Sequence, residues 1–217
     1  MFPNAYNGVK KIYLAEILGL IAAVIGGIAG IAAAVGILAK EAGEQGSGYD
    51  AAVFGGGVVV IIAGILLLIS FILNVIGISK ASQDEPNFKK AMIWLIISLI
   101  GSFALGMTNE GSAINIAANF VYQAADVLVT FFVINGLISL AEKLGRSDLA
   151  ARGTKLKNLI IGIYVIALVV SLISAFMTNS ETMETIAGVL ACAALIIMII
   201  AYFMYLKLLS RARNMLA

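Results

Sequence analysis

The sequence predicts an all-α fold: a polytopic integral membrane protein with six transmembrane helices, arranged as three tandem hairpins in one domain, residues 1–217. Three observations predict it. Of 217 residues 62% are hydrophobic and only 12% are charged, where a soluble domain carries about 25% charged residues. Mean hydropathy is +1.06, and the apolar residues gather in blocks long enough to cross a bilayer. The basic residues fall between those blocks, on alternate loops.

The first span covers about 13–39 and follows Lys10 and Lys11. Its apolar run, Ile12 to Ala39, far exceeds the roughly 7–15 residues of a signal-peptide core, so it is expected to be a retained span. A small-residue face, Gly19, Ala22, Gly26, Gly30 and Ala33, includes GxxxG at 26–30 and suits close helix packing. Glu16 lies one turn inside its basic edge, as a partner for a nearby lysine or part of an inner gate.

The second span covers about 51–79 and opens on Gly55-Gly56-Gly57, which no Lys-Ser/Thr follows, so it is not a phosphate loop. Asn74 lies deep within it. The Asp84-Glu85 pair beside Pro86 reads as a solvated turn. The third span, about 91–107, is the shortest and carries Ser98 and Ser102. The fourth covers about 114–141, and the fifth, about 158–177, carries Ser171 and Ser174. The sixth, about 184–206, holds Cys192, the single cysteine, expected as a small packing residue.

Loop charge gives the expected orientation. Lys10, Lys11, Lys80, Lys89, Lys90, Lys143, Arg146, Arg152, Lys155, Lys157, Lys207, Arg211 and Arg213 all fall on one side. The other side has Lys40 alone, with Glu41, Glu44, Asp50, Glu110, Glu181 and Glu184. The positive-inside rule then places both termini in the cytoplasm of a multi-pass cell-membrane protein.

An internal repeat is expected as well. "MTNEGSAINIA" at 107–117 aligns without a gap to "MTNSETMETIA" at 177–187. "ISKA", "ISLA" and "LSRA" close the even-numbered spans, while "VKK", "FKK" and "LKN" open the odd-numbered ones. Repeats of this kind build transporter folds and also bundles with no transport role.

The fourth span departs from its repeat partner. On a helical wheel Ser112, Asn115, Asn119, Tyr122, Gln123, Asp126 and Thr130 share one sector about 100° wide. In the matching register Asn119, Gln123 and Asp126 stand opposite Val189, Ala193 and Ile196. Asn135 lies on the other side of the helix, and beyond Thr130 the polar sector becomes Val133 and Leu137. A mid-span aspartate costs roughly 2.5–3.5 kcal/mol on insertion scales. Three arrangements meet that cost: a protonated side chain, a water-filled cavity, or a cation taken from solution. Asp126, Gln123, Asn119, Tyr122, Thr130, Ser98 and Ser102 are therefore the candidate substrate- or ion-binding residues, and Ser171 and Ser174 lie at suitable depth to join them. The competing reading is interhelical hydrogen-bond glue, at about 0.6 kcal/mol per contact.

Other chemistries find little material. There is no histidine, no metal-ligand cluster, no nucleophile with a nearby base and no second deep carboxylate, so neither catalysis nor a cofactor is expected. The basic residues form no patch for nucleic acid. In general layout the chain resembles the substrate-capture subunits of energy-coupling-factor vitamin transporters, six-span proteins of about this length with small residues on the first span. That likeness implies a membrane partner subunit and extends to no ligand-binding motif. The leading expectation is a protein that binds or moves a small solute or cation through an outward-opening polar cavity ending at Asp126. The alternatives are a non-catalytic subunit of a larger membrane complex, or a homo-oligomeric pore in which copies of Asp126 ring one axis.

Overall fold

The computed structural model describes residues 2–41, 47–109, 112–176 and 181–217, with side chains described outside 39–41, 47–53, 113, 167–176, 181–187 and 191. Among the described residues six α-helices follow one another: α1 (Pro3–Glu41), α2 (Ser47–Ala81), α3 (Pro86–Met107), α4 (Ala113–Lys143), α5 (Ser147–Phe176) and α6 (Glu181–Leu216). Most of them outrun the apolar blocks at one or both ends. Hydropathy marks only the stretch that suits hydrocarbon, whereas Lys, Glu, Arg and Ala continue a helix readily into polar surroundings.

Among the described residues five helices, α1, α2, α3, α4 and α6, are long and apolar enough to cross a membrane. The far half of the expected fifth span lies outside the described side chains, as does all of 177–187, the segment expected to match 107–117. Large apolar side chains face outward along the helices, among them Ile28 at 67% exposure, Ile61 at 65% and Phe103 at 66%. Water would oppose so much apolar surface, so the arrangement is compatible with a membrane-spanning protein.

Local chemistry sets the turns. Pro86 occupies the first position of α3, where its missing N–H is not needed. Glu85 is the N-cap, its carboxylate accepting from the Asn87 amide at 3.3 Å. Thr108 closes α3 and Ser112 opens α4, with Ser112 Oγ accepting from Asn115 N at 3.2 Å. The turn after α4 passes through Gly145, whose φ of +68° allows Arg146 N to return to Ala141 O at 2.8 Å. Only glycine enters that left-handed turn without strain.

The chain divides into two units, residues 11–77 and residues 1–10 with 78–217. In the first, α1 and α2 run antiparallel along a seam of small residues. Ser70 Oγ donates to Ala15 O at 2.7 Å. A Cβ added at Gly19 would lie 3.1 Å from Ser70 Oγ, at Gly26 3.0 Å from Ala63 Cβ, and at Gly56 2.8 Å from Ala29 O. On α1 the seam runs through Ala15, Gly19, Ala22, Gly26, Ala29 and Ala33, spaced by fours and threes; on α2 it uses Gly56, Ala63 and Ser70, seven apart. Such spacing keeps one stripe facing a partner helix.

The expected small-residue face departs from the seam at Gly30. Gly19, Ala22 and Gly26 lie on the seam, but a Cβ at Gly30 would meet nothing within 4 Å. The seam steps three residues from Gly26 to Ala29, which rotates Gly30 off the contact. Gly56, from the glycine triplet of α2, makes the close approach instead. Asn74 Oδ1 is enclosed and accepts no hydrogen bond among the described residues.

In the second unit α3 packs on α4, α4 on α5, and α5 on α6. The Phe88 ring fills the space beside Gly136, and Ile138 lies over Gly153. Phe88, Ile134, Leu137, Leu140, Leu156 and Leu209 are fully buried. This core sits at the basic ends of the helices. Cys192 is exposed rather than packed. It lies nine residues before buried Ala201, which places it on the opposite side of α6.

Candidate functional site

The polar sector occupies the first half of α4, and its members meet different surroundings. At its start Asn115 Nδ2 donates to Thr108 Oγ1 at 3.1 Å, while Thr108 Oγ1 donates to Ala104 O at 2.9 Å. Ser112 and Asn115 are thus part of the turn between α3 and α4. One turn on, Gln123 Nε2 donates to Asn119 Oδ1 at 3.0 Å, and both side chains are exposed. The Thr130 hydroxyl donates back to Asp126 O at 3.4 Å, a local bond that leaves the Asp126 carboxylate untouched.

Asp126 lies 13 residues after Ala113 and 17 before Lys143. Its side chain is exposed, and among the described residues no donor or cation reaches the carboxylate. On the same face, further along α4, Val133, Leu137 and Ala141 are 1%, 1% and 0% exposed. The carboxylate therefore marks a boundary, with open polar surface on one side and closed apolar packing on the other.

Tyr122 turns away from the open surface toward α3. A Cβ at Gly101 would lie 3.2 Å from Tyr122 Cα, so the two backbones nearly touch there. That closeness brings Ser98 level with Ala125 and Asp126 along the helix pair. Ser98 is half-buried and Ser102 is exposed, and among the described residues no hydrogen bond joins either to the α4 sector. Ser171 and Ser174 lie outside the described side chains.

The expected solvated turn at Asp84-Glu85 is instead a structural knot. Glu85 is 2% exposed. Its carboxylate accepts from Lys143 Nζ, from Ser139 Oγ at 2.9 Å and from Asn87 Nδ2 at 2.8 Å. Burial alone raises its carboxyl, but the bonds from Lys143, Ser139 and the Asn87 backbone outweigh burial and hold it below the usual glutamate value. Asp84 caps the other end of the knot, accepting from Asn4 Nδ2 at 3.0 Å and Ala5 N at 2.8 Å. Lys143 also stands over the Phe2 ring, 5.9 Å from its centroid. The N-cap signal at Glu85 was present in the proline after it; the partners from α1 and α4 had no local signal.

Asn135, on the far side of α4, is also engaged: Lys157 Nζ donates to its Oδ1 at 3.3 Å. No cluster of metal-ligating side chains occurs among the described residues. Comparison with protein-family models, with curated proteins and with solved structures gives no match.

Proposed function

We propose that the chain is a six-span membrane protein with cytoplasmic termini that binds, and through that binding moves, a small cation or polar solute at Asp126. The observation that carries the reading is the position of that carboxylate. It stands mid-helix, without a cation or donor among the described residues, where an exposed polar face gives way to buried Val133 and Leu137. A charged group so placed in a membrane needs water or a counter-ion. The open outer half can admit either, and the packed inner half closes the path. Asn119 and Gln123 supply amide dipoles along the approach, and Thr130 adds a hydroxyl one turn deeper.

The tandem-hairpin repeat belongs to the same reading. It supplies a scaffold, and the polar sector is the feature by which the second hairpin departs from the third. A non-catalytic subunit or homo-oligomeric pore is the second reading. It is favoured by the exposure of Asn119, Gln123 and Asp126 together, a polar face that a neighbouring protein would cover.

Asp126→Asn and Asp126→Leu test the proposal. Purified protein is melted in the presence of alkali or alkaline-earth cations over a range of pH. A cation-dependent shift that both variants lose is the expected result. Retention of the full shift by Asp126→Leu overturns the site, and a concentration-dependent oligomer that Asp126→Leu disrupts supports the second reading.

A further inference from the structure

On the side of α4 opposite Asp126, two lysines and two phenylalanines converge between α3 and α5. Phe131 and Phe132 stand edge to face, centroids 5.4 Å apart at 86°. Lys90 of α3 reaches over the Phe132 ring and Lys157 of α5 over the Phe131 ring, each Nζ 5.7 Å from the centroid. The neighbouring helices explain the arrangement. Tyr122 and Gly136 of α4 meet α3, while Ile138 meets α5. Phe131, Phe132 and Asn135 lie on the strip between those contacts.

The charge on this strip is uncompensated among the described residues. Lys90 makes no hydrogen bond or ion pair there, and Lys157 bonds only the neutral Asn135. The nearby acids are otherwise placed. Glu85 is held by Lys143 and Asp148 by Arg146. Glu142 is seven residues beyond Asn135, about 10 Å further toward the end of the helix. A ring face attracts an ammonium but leaves its N–H groups free for an anion.

We propose that this groove binds the phosphate headgroup of an anionic phospholipid, with Lys90 and Lys157 as cationic arms and Phe131–Phe132 as floor. The groove favours a lipid over a soluble anion because apolar surface continues from each lysine. Ile93 lies one turn on from Lys90 and Ile161 one turn on from Lys157, 53% and 45% exposed. Acyl chains would follow these residues while the headgroup stays level with Lys90 and Lys157, where basic side chains meet anionic lipid. The proposal rests on the reading of the helices as membrane spans.

The test uses full-length protein in detergent, titrated with phosphatidylglycerol or phosphatidylcholine and followed by thermal melting and native mass spectrometry. Phosphatidylglycerol should bind and stabilise in preference to phosphatidylcholine. Lys90→Gln and Lys157→Gln should each weaken its binding about fivefold, and the double variant more. The single variants keep the test open if the double variant does not fold. Lys10→Gln/Lys80→Gln, which removes the same charge elsewhere on the basic side, should leave the preference in place. Equal losses in the two double variants would overturn the site in favour of diffuse surface charge. Inorganic phosphate reproducing the lysine-dependent shift would overturn the lipid assignment. Recovery of folded protein without detergent would sink the spanning reading itself. A protein that requires detergent but shows no lysine-dependent preference sinks the lipid site alone.

Discussion

Lys143 and Glu85 form an ion pair across 58 residues of sequence, the glutamate buried and the lysine 44% exposed on its side chain. The pair joins the turn before α3 to the last turn of α4. Ser139, one turn earlier on α4, donates to the same carboxylate oxygen. A buried carboxylate this well supplied with donors is costly to orphan.

Loss of that charge should therefore be felt as pH dependence. The Glu85 carboxyl titrates below its ordinary value of 4.5 in the folded chain. Its contribution is fully present above that value and is lost as pH falls through the lowered folded-state value, because the unfolded chain takes up the proton first. Glu85→Ala should destabilise by about 1–3 kcal/mol at neutral pH. Thermal melting in detergent between neutral pH and the acid limit checks both statements. A variant whose melting point falls with acid as steeply as the parent's would show that the dependence lies elsewhere.

Asp84 should act as a tertiary cap. It accepts from Ala5 N in the first turn of α1, where orphan N–H groups and the helix dipole favour an anion. Asp84→Ala should cost about 1 kcal/mol, with Asp84→Asn losing less. Hydrogen exchange at the Ala5 amide reports the loss directly, and unchanged protection there would contradict the cap.

The small-residue seam separates two glycines that look alike in the sequence. Gly26→Leu and Gly56→Leu force bulk between α1 and α2, and overpacking of this kind costs about 1–3 kcal/mol or more. Gly30→Leu has open space and should leave the melting point of the chain unchanged. Equal damage from all three substitutions would show that Gly30 too lies at a contact.

Orientation is testable by labelling in a Cys192→Ala background. Cysteines at Gln45 and Glu110 should react with an impermeant reagent from outside intact cells. Cysteines at Gln83 and Ser147 should react only after permeabilisation. Outside labelling at Ser147 would reverse the orientation drawn from the basic residues.

The sequence by itself determined that the chain is helical, how many helices the described residues form and where the apolar stretch of each lies, because apolar block length and breaker residues are local properties. It did not give the ends, since α1 begins ten residues and α5 eleven residues before the expected spans. It also singled out the polar sector of α4, since helical periodicity places Asn119, Gln123 and Asp126 on one face whatever that face meets. Only the tertiary structure decided what the faces meet. Gly26 and Gly30 are equivalent as a motif, yet the step from Gly26 to Ala29 along the seam leaves Gly30 open. Asp84 and Glu85 read as a solvated turn because their partners, Ala5, Ser139 and Lys143, are more than 50 residues away. Lys90 and Lys157 counted only as loop charge until the packing of α3 and α5 on α4 brought them over adjacent rings. Burial and long-range pairing depend on which helices become neighbours, and neighbours are chosen by the shape of whole packed faces, which no short stretch of sequence contains.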